Sequence, residues 1–282
     1  MKHTKQKSIT KEQCEAFARY LRESEKSPST VQKYRRDVLR FFEWLDQTPP
    51  TRESVLCYKE VLGESYAASG ANSMLAALNS FFRYCEHPEL CVRQFRVQKK
   101  AYWPVEKELS REEYRRLVKA AREEGECMAL LLQTVCCTGI RIGELPYITV
   151  EAARHGEATV CCKGKTRTVF LVPALCEKLL SFAASEGVTR GAVFVTKNGN
   201  PMDRSNIWRK MKALCLRARV APEKVFPHNL RHLFARTFYG MEKDIAKLAD
   251  VLGHSNINTT RIYIITTGEE HRRKMEKMEL VL

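Results

Sequence analysis

The chain has 282 residues, enough for one large domain or two modest ones, and 44% hydrophobic residues supply a real core, which excludes a disordered tail. Lysine and arginine number 48 against 33 aspartate and glutamate, a formal charge of +15, so the favoured partner is anionic, with nucleic acid first. The 11 cysteines are odd in number, include the adjacent pairs Cys136-Cys137 and Cys161-Cys162, and contain no C-x-x-C, so they read as buried small hydrophobes in a reducing compartment and not as disulfides or metal ligands.

Met1 to Lys11 is polar and basic, unlike a signal peptide, and no apolar run approaches the roughly 20 residues that span a bilayer. The expected location is cytoplasmic, with no membrane partner. From Thr10, apolar residues recur at Cys14, Phe17, Ala18 and Leu21, which predicts a helix. Ser27-Pro28-Ser29-Thr30 ends it and caps the next. Val31, Tyr34, Val38, Phe41, Phe42 and Leu45 mark one face of that second helix, and its other face carries Lys33, Arg35, Arg36 and Arg40. Pro49-Pro50 ends it, and two more helices are expected over about Arg52–Ala67 and Ala71–Cys85. Residues 1–87 thus read as a helical domain. A basic linker over 88–106, with Arg93, Arg96, Lys99 and Lys100, suits a tether around a duplex, or an ordinary solvated connection.

Residues 107–282 read as the second domain. Ser110 and Glu113 form a capping box. Leu117, Val118 and Ala121 give the helix its apolar face, and Cys127 to Cys137 is almost wholly apolar, as in a buried helix. It stops at Thr138-Gly139-Ile140-Arg141-Ile142-Gly143-Glu144-Leu145. An arginine at the mouth of a buried helix is costly without an anionic partner. Residues 157–172 alternate around a turn at Gly164, which predicts a β-hairpin. A helix over Leu175–Glu186, a short strand over Ala192–Val195 and a turn over Lys197–Pro201 follow. The next helix, capped by Asp203 or Ser205, carries Arg204, Arg209, Lys210, Lys212, Arg217 and Arg219 with no acid among them, and is a candidate to lie along DNA.

The densest cluster of chemistry lies between Phe226 and Tyr263. His228 and Arg231 are three apart, so they share a helix face. His254 follows Leu252-Gly253, and Tyr263 comes nine positions later. Two histidines, an arginine and a tyrosine suit a phosphodiester: cations and donors for its oxygens, and a hydroxyl to attack it. The tail from Glu269 to Leu282 is polar-basic, with Met275, Met278, Leu280 and Val281 giving it a short apolar side that docks in cis or in trans.

This arrangement resembles the tyrosine recombinases, which include phage integrases and Xer-type resolvases. Their H-x-x-R-H stands here as His228-Asn229-Leu230-Arg231-His232, followed by Leu252-Gly253-His254 and Tyr263. Their T-G-x-R-x-x-E-L is met in full over 138–145, and the segment TVQKYRRDVLRFFEWL is similar to their core-binding domain. CCKGKTRTVFLVP looks like their hairpin K-G-x-x-K-x-R-x-V-P with a shorter turn, which puts the catalytic lysine at Lys163 and leaves Lys165 as its rival.

The resemblance implies a mainly α fold with a small β-sheet and a catalytic set of Arg141, Lys163, His228, Arg231, His254 and Tyr263, with Glu144 and His232 in support. Tyr263 would be the nucleophile, and neither metal nor ATP is required. The implied partners are double-stranded DNA with paired inverted half-sites, further copies of the chain from dimer to tetramer, and a second recombinase or accessory factor. A housekeeping resolvase and a mobile-element integrase remain equally open. Two alternatives stay in view. A type IB topoisomerase shares the chemistry, and DIAKLADVLGHSNINTT read as a helix-turn-helix would make a non-catalytic DNA-binding regulator.

Overall fold

The computed structural model describes residues 10–46, 48–97, 107–162, 165–263, 272, 273 and 275–278, and it divides into two compact units that meet in sequence at Lys99 and Lys100. The fold is mainly helical with a small sheet. Among the described residues no helix is long and apolar enough to cross a membrane.

The first unit consists of α1 (Gln13–Glu23), α2 (Pro28–Leu45), α3 (Arg52–Ser65) and α4 (Ala68–Tyr84). Ser27 caps α2 by accepting from the Thr30 amide at 3.3 Å, and Pro28 opens the helix where its missing N–H costs nothing. Thr51 and Ser54 cap α3 reciprocally. Phe17, Phe41, Phe81 and Phe82 are fully buried and meet edge to face, with Phe17–Phe81 centroids 5.3 Å apart and Phe41–Phe82 5.8 Å apart.

The stretch read as linker behaves differently up to Val97. Pro88–Leu90 forms a 3-10 turn, and Leu90 and Val92 join the core of the helical unit. Asn79 and Asn72 on α4 grip the extended chain as a neighbouring strand would. Asn79 brackets Val92 with bonds of 2.8 and 2.9 Å, and Asn72 brackets Phe95 with bonds of 2.9 and 2.7 Å. These side-chain amides satisfy backbone groups that local periodicity alone does not predict. Lys99 and Lys100 lie outside the described residues.

The second unit is built from α5 (Arg111–Glu124), α6 (Glu126–Thr138), a 3-10 turn (Ile142–Tyr147), α7 (Val150–His155), β1 (Glu157–Cys162), β2 (Lys165–Phe170) and α8 (Pro173–Ser185). It continues through α9 (Arg204–Ala218), α10 (Pro227–Glu242), α11 (Ile245–Leu252) and α12 (Ile257–Arg261). α6 is the hub, with Leu130, Leu131, Leu132 and Val135 fully buried. β1 and β2 pair antiparallel with Glu157 opposite Phe170 and Cys162 opposite Lys165, and Ala158, Val160 and Val169 face the core. The strand expected over Ala192–Val195 is reduced to two isolated bridges, Thr149 with Ala192 and Val195 with Pro201. A separate small cluster of Ala235, Leu248, Leu252 and Tyr263 packs α10, α11 and the chain after α12 together.

Candidate active site

α6 ends at Gly139, whose φ of 64° is left-handed. A Cβ at Gly139 would lie 2.4 Å from the Phe234 ring, so both conformation and space demand glycine. This turn delivers Arg141 to the start of the next 3-10 turn. Its amide donates to Glu144 Oε2 at 2.8 Å, and its guanidinium donates to Oε1 at 2.9 Å. Arg167 on β2 donates to the same carboxylate at 2.7 Å and to the Val251 carbonyl at 3.0 Å. Glu144 is buried, yet it serves two arginines. Burial pushes its pKa up, but the Arg141 amide and the Arg167 and Arg141 charges outweigh that and hold it below the ordinary carboxylate range.

α10 opens with Pro227 and places His228, Arg231 and His232 on one side. Arg231 is 1% exposed, the largest fully buried side chain among the described residues. It donates to the Gly139 carbonyl, to the Leu252 carbonyl at 2.7 Å and to His254 Nε2 at 3.0 Å. Both carbonyls lie at helix C-terminal ends, where backbone oxygens lack intrahelical donors and the dipole favours a cation. Arg167 and Arg231 together take the last two carbonyls of α11. Arg231 Nε is itself buried and meets no acceptor among the described residues. Burial, then the Arg141 charge, lowers its pKa to about 10, so it stays charged at neutral pH.

α11 ends at Gly253, φ 66°, where a Cβ would fall 2.3 Å from Arg167 Cδ. The turn aims His254 into a cleft of about 610 Å³ that is also lined by Arg141, Glu144, Arg167 and Ser255. Tyr263 is buried after α12, with its hydroxyl 3.0 Å from His228 Nε2. Its ring stacks on His254, with centroids 5.6 Å apart, and leans on His232 at 5.2 Å. His228 is exposed, yet desolvation on the side packed against the protein, then the charges of Arg231, Arg141 and Arg204, holds its pKa below the usual imidazole value. Burial drives His232 to about 4. Burial and then Arg231 do the same to His254. All three are neutral at pH 7.

Arg141, Glu144, His228, Arg231, His232, His254 and Tyr263 therefore come together at one place, although up to 122 positions separate them in the chain. Lys163 lies outside the described residues, and Lys165 is placed only by its backbone at the start of β2. Arg204, expected on a DNA-facing helix, is close enough to act on His228. Arg209 and Lys210 are exposed on α9, whereas Lys212 donates to the Pro222 carbonyl and lies 5.3 Å from the Trp208 ring centroid. Arg93 and Arg96 are exposed on the docked strand-like segment of the helical unit. On α2, Lys33 donates to buried Asp37 at 2.5 Å, Arg36 reaches the same carboxylate at 3.2 Å, and Arg40 covers the Tyr66 ring.

Two residues at the site escaped the motif reading. Arg167 stands within the hairpin pattern, which by itself gives it no role. Thr260, fully buried, has its hydroxyl 2.9 Å from His254 Nδ1, and nothing in its sequence context marks it.

A mainly α unit with a cleft lined by Arg141, Arg167 and His254, and with Arg231 and Tyr263 touching that histidine, suits an anionic ligand. Comparison narrows it. Residues 107–270 match the phage integrase family, and residues 14–88 match the SAM-like N-terminal domain of phage integrases. The chain is 25% identical to tyrosine recombinase XerA of Pyrococcus furiosus across 98% of its length and 97% of that protein. It is 27% identical to tyrosine recombinase XerD of Vibrio cholerae across 83% of its length and 85% of that protein. In structure it resembles a lambda integrase tetramer bound to a Holliday junction, at TM-score 0.73 and 17% identity over 91% of this chain and 78% of that one. It also resembles XerH bound to its difH substrate, at TM-score 0.70 and 18% identity over 94% and 84%. The chain belongs to the phage integrase family, and its relatives place it among the Xer-type tyrosine recombinases.

Proposed function

We propose that this tyrosine recombinase cuts and rejoins DNA at specific sites with Tyr263 as nucleophile. The observation that carries the assignment is the 3.0 Å contact between the Tyr263 hydroxyl and His228 Nε2. A phenol hydroxyl must lose its proton as it attacks phosphorus, which calls for a base beside it. His228, held neutral by partial desolvation and nearby cations, offers that lone pair. Arg141 and Arg231 bind the non-bridging oxygens, where charge gathers in the transition state. Lys163, with Lys165 as the rival, protonates the departing 5′ oxygen. The P–O5′ bond breaks as the tyrosine O–P bond forms, giving a 3′-phosphotyrosine and a free 5′ hydroxyl. Because the link conserves the bond energy, attack by a 5′ hydroxyl restores the strand without ATP or metal.

Lys33, Arg36, Arg40, Arg93, Arg96, Lys99, Lys100, Lys165, Arg204, Arg209, Lys210 and Lys212 are the phosphate contacts of this reading. The protein works in the cytoplasm, on duplexes with inverted half-sites. Two protomers occupy one site, two sites synapse as a tetramer, and exchange passes through a Holliday junction. Residues 1–87 and 107–282 act as core-binding and catalytic domains.

The test begins with duplexes selected from random sequence by binding to Tyr263→Phe. A supercoiled plasmid carrying two copies of the selected site is then incubated with the wild-type protein. Recombinant circles are the expected product. Relaxed topoisomers without recombinants would instead establish swivelling of one cut strand, and binding without strand cutting would establish a regulator.

A further inference from the structure

His254 bridges two groups of different character. Its Nε2 is 3.0 Å from Arg231 Nη2, and its Nδ1 is 2.9 Å from Thr260 Oγ1. A guanidinium has only N–H donors and accepts nothing. Nε2 must therefore present a lone pair to Arg231, which leaves the ring proton on Nδ1. Thr260 Oγ1 is then the acceptor. A second ring proton would set N–H against N–H at Arg231. Desolvation, then the surrounding charges of Arg231, Arg141 and Arg167, opposes that proton as well. Thr260 is fully buried, one turn before Tyr263, so a fixed side chain rather than exchanging water meets Nδ1.

We propose that Thr260 is a positioning residue of the active site. Its hydroxyl fixes His254 as the Nδ1-protonated tautomer and so ties the segment bearing Tyr263 to the buried Arg231. In the free protein His254 occupies an Arg231 N–H that an anion would otherwise take. A hydroxyl can also turn about its C–O bond and donate. When a phosphate displaces the Arg231 contact, Nε2 takes up a proton from solvent to face the phosphate, Nδ1 releases its own as the Thr260 contact opens transiently, and Thr260 then turns to donate to Nδ1. Valine permits neither arrangement, and serine permits both. The catalytic consequence rests on the recombinase reading, whereas the tautomer does not.

The test uses the full-length protein labelled with ¹⁵N at histidine, with the His254 signals identified by their loss in His254→Asn. In wild type the proton is expected on Nδ1, as a resonance protected from water, with Nε2 unprotonated. Thr260→Val is expected to lose that protection and to form the covalent complex with a nicked selected duplex about tenfold more slowly, the effect of one lost hydrogen bond. Thr260→Ser should restore both. A wild-type ring protonated on Nε2 overturns the proposal. So does a valine variant with wild-type protection and rate. If the valine variant does not fold, the wild-type tautomer and the serine variant decide. Nδ1 protonation in a protein that binds DNA but forms no covalent complex would sink the recombinase reading and leave the tautomer standing.

Discussion

The helical unit and the catalytic cleft both present cations, but they hold them in opposite ways. On α2, Lys33 and Arg36 lean on one buried carboxylate, Asp37, and keep their heads at the surface, and Arg40 rests over Tyr66. Beside the cleft Arg231 is buried against helix-end carbonyls, and Arg141 and Arg167 share buried Glu144. Surface cations are hydrated, so each adds a small, salt-screened increment to binding. Buried cations are held in one geometry at a desolvation cost, which gives preorganised charge where a transition state needs it. On the proposed function, binding is distributed over the helical unit and chemistry is concentrated in the cleft.

Mutation should separate the two regimes. Tyr263→Phe removes the nucleophile, and covalent product on a nicked duplex should vanish while binding by gel shift persists. Arg231→Lys keeps a charge but loses the planar fork, and strand cleavage should fall about 10²–10³-fold, as when one preorganised donor is lost. If lysine served equally well in single-turnover cleavage, the buried fork would have no special role.

Glu144→Gln keeps the shape but takes the negative charge from between two arginines. Cleavage should drop roughly tenfold to a hundredfold, with DNA affinity changed little. A loss confined to affinity would move Glu144 out of the chemistry.

Acid sharpens the contrast within one molecule. His232 and His254 titrate near 4 in the fold against about 6.5 in the unfolded chain. The unfolded state therefore binds more protons as pH falls through this window. Stability is full above about 6.5 and declines as pH falls towards 4, by a few kcal/mol in all. Thermal melts between pH 7 and 4.5 should show this decline, and His232→Asn should flatten it.

The smallest effect belongs to the helical unit. Lys33→Ala and Arg36→Ala should each weaken binding only severalfold and reduce the salt slope by about one. A hundredfold loss from either would show that the helical unit also concentrates its function.

Local sequence carried much of this. The apolar period of α1 and α2, the caps at Ser27 and Ser110 and the left-handed stops at Gly139 and Gly253 were legible because each is a short-range rule. Arg141, Arg231, His254 and Tyr263 were legible as motif and spacing. What escaped is long-range. The asparagine grip on Val92 and Phe95 depends on where a later segment falls against α4, whereas local sequence over 88–106 reads only as a basic tether or solvated connection. The helix-turn-helix pattern is present as α11, Gly253 and α12, but α12 turns Thr260 inward to His254. Arg167 meets Glu144 only because the hairpin folds back over the end of α11.

The most direct test of the central claim is the identity of the covalent adduct. A nicked duplex carrying the selected site is incubated with wild-type protein in EDTA, the complex is digested with protease and nuclease, and the nucleotide-bearing peptide is sequenced by mass spectrometry. A 3′-phosphonucleotide on Tyr263, formed without metal, is the predicted result. An adduct on any other residue, or a strict requirement for a divalent metal, would contradict the account.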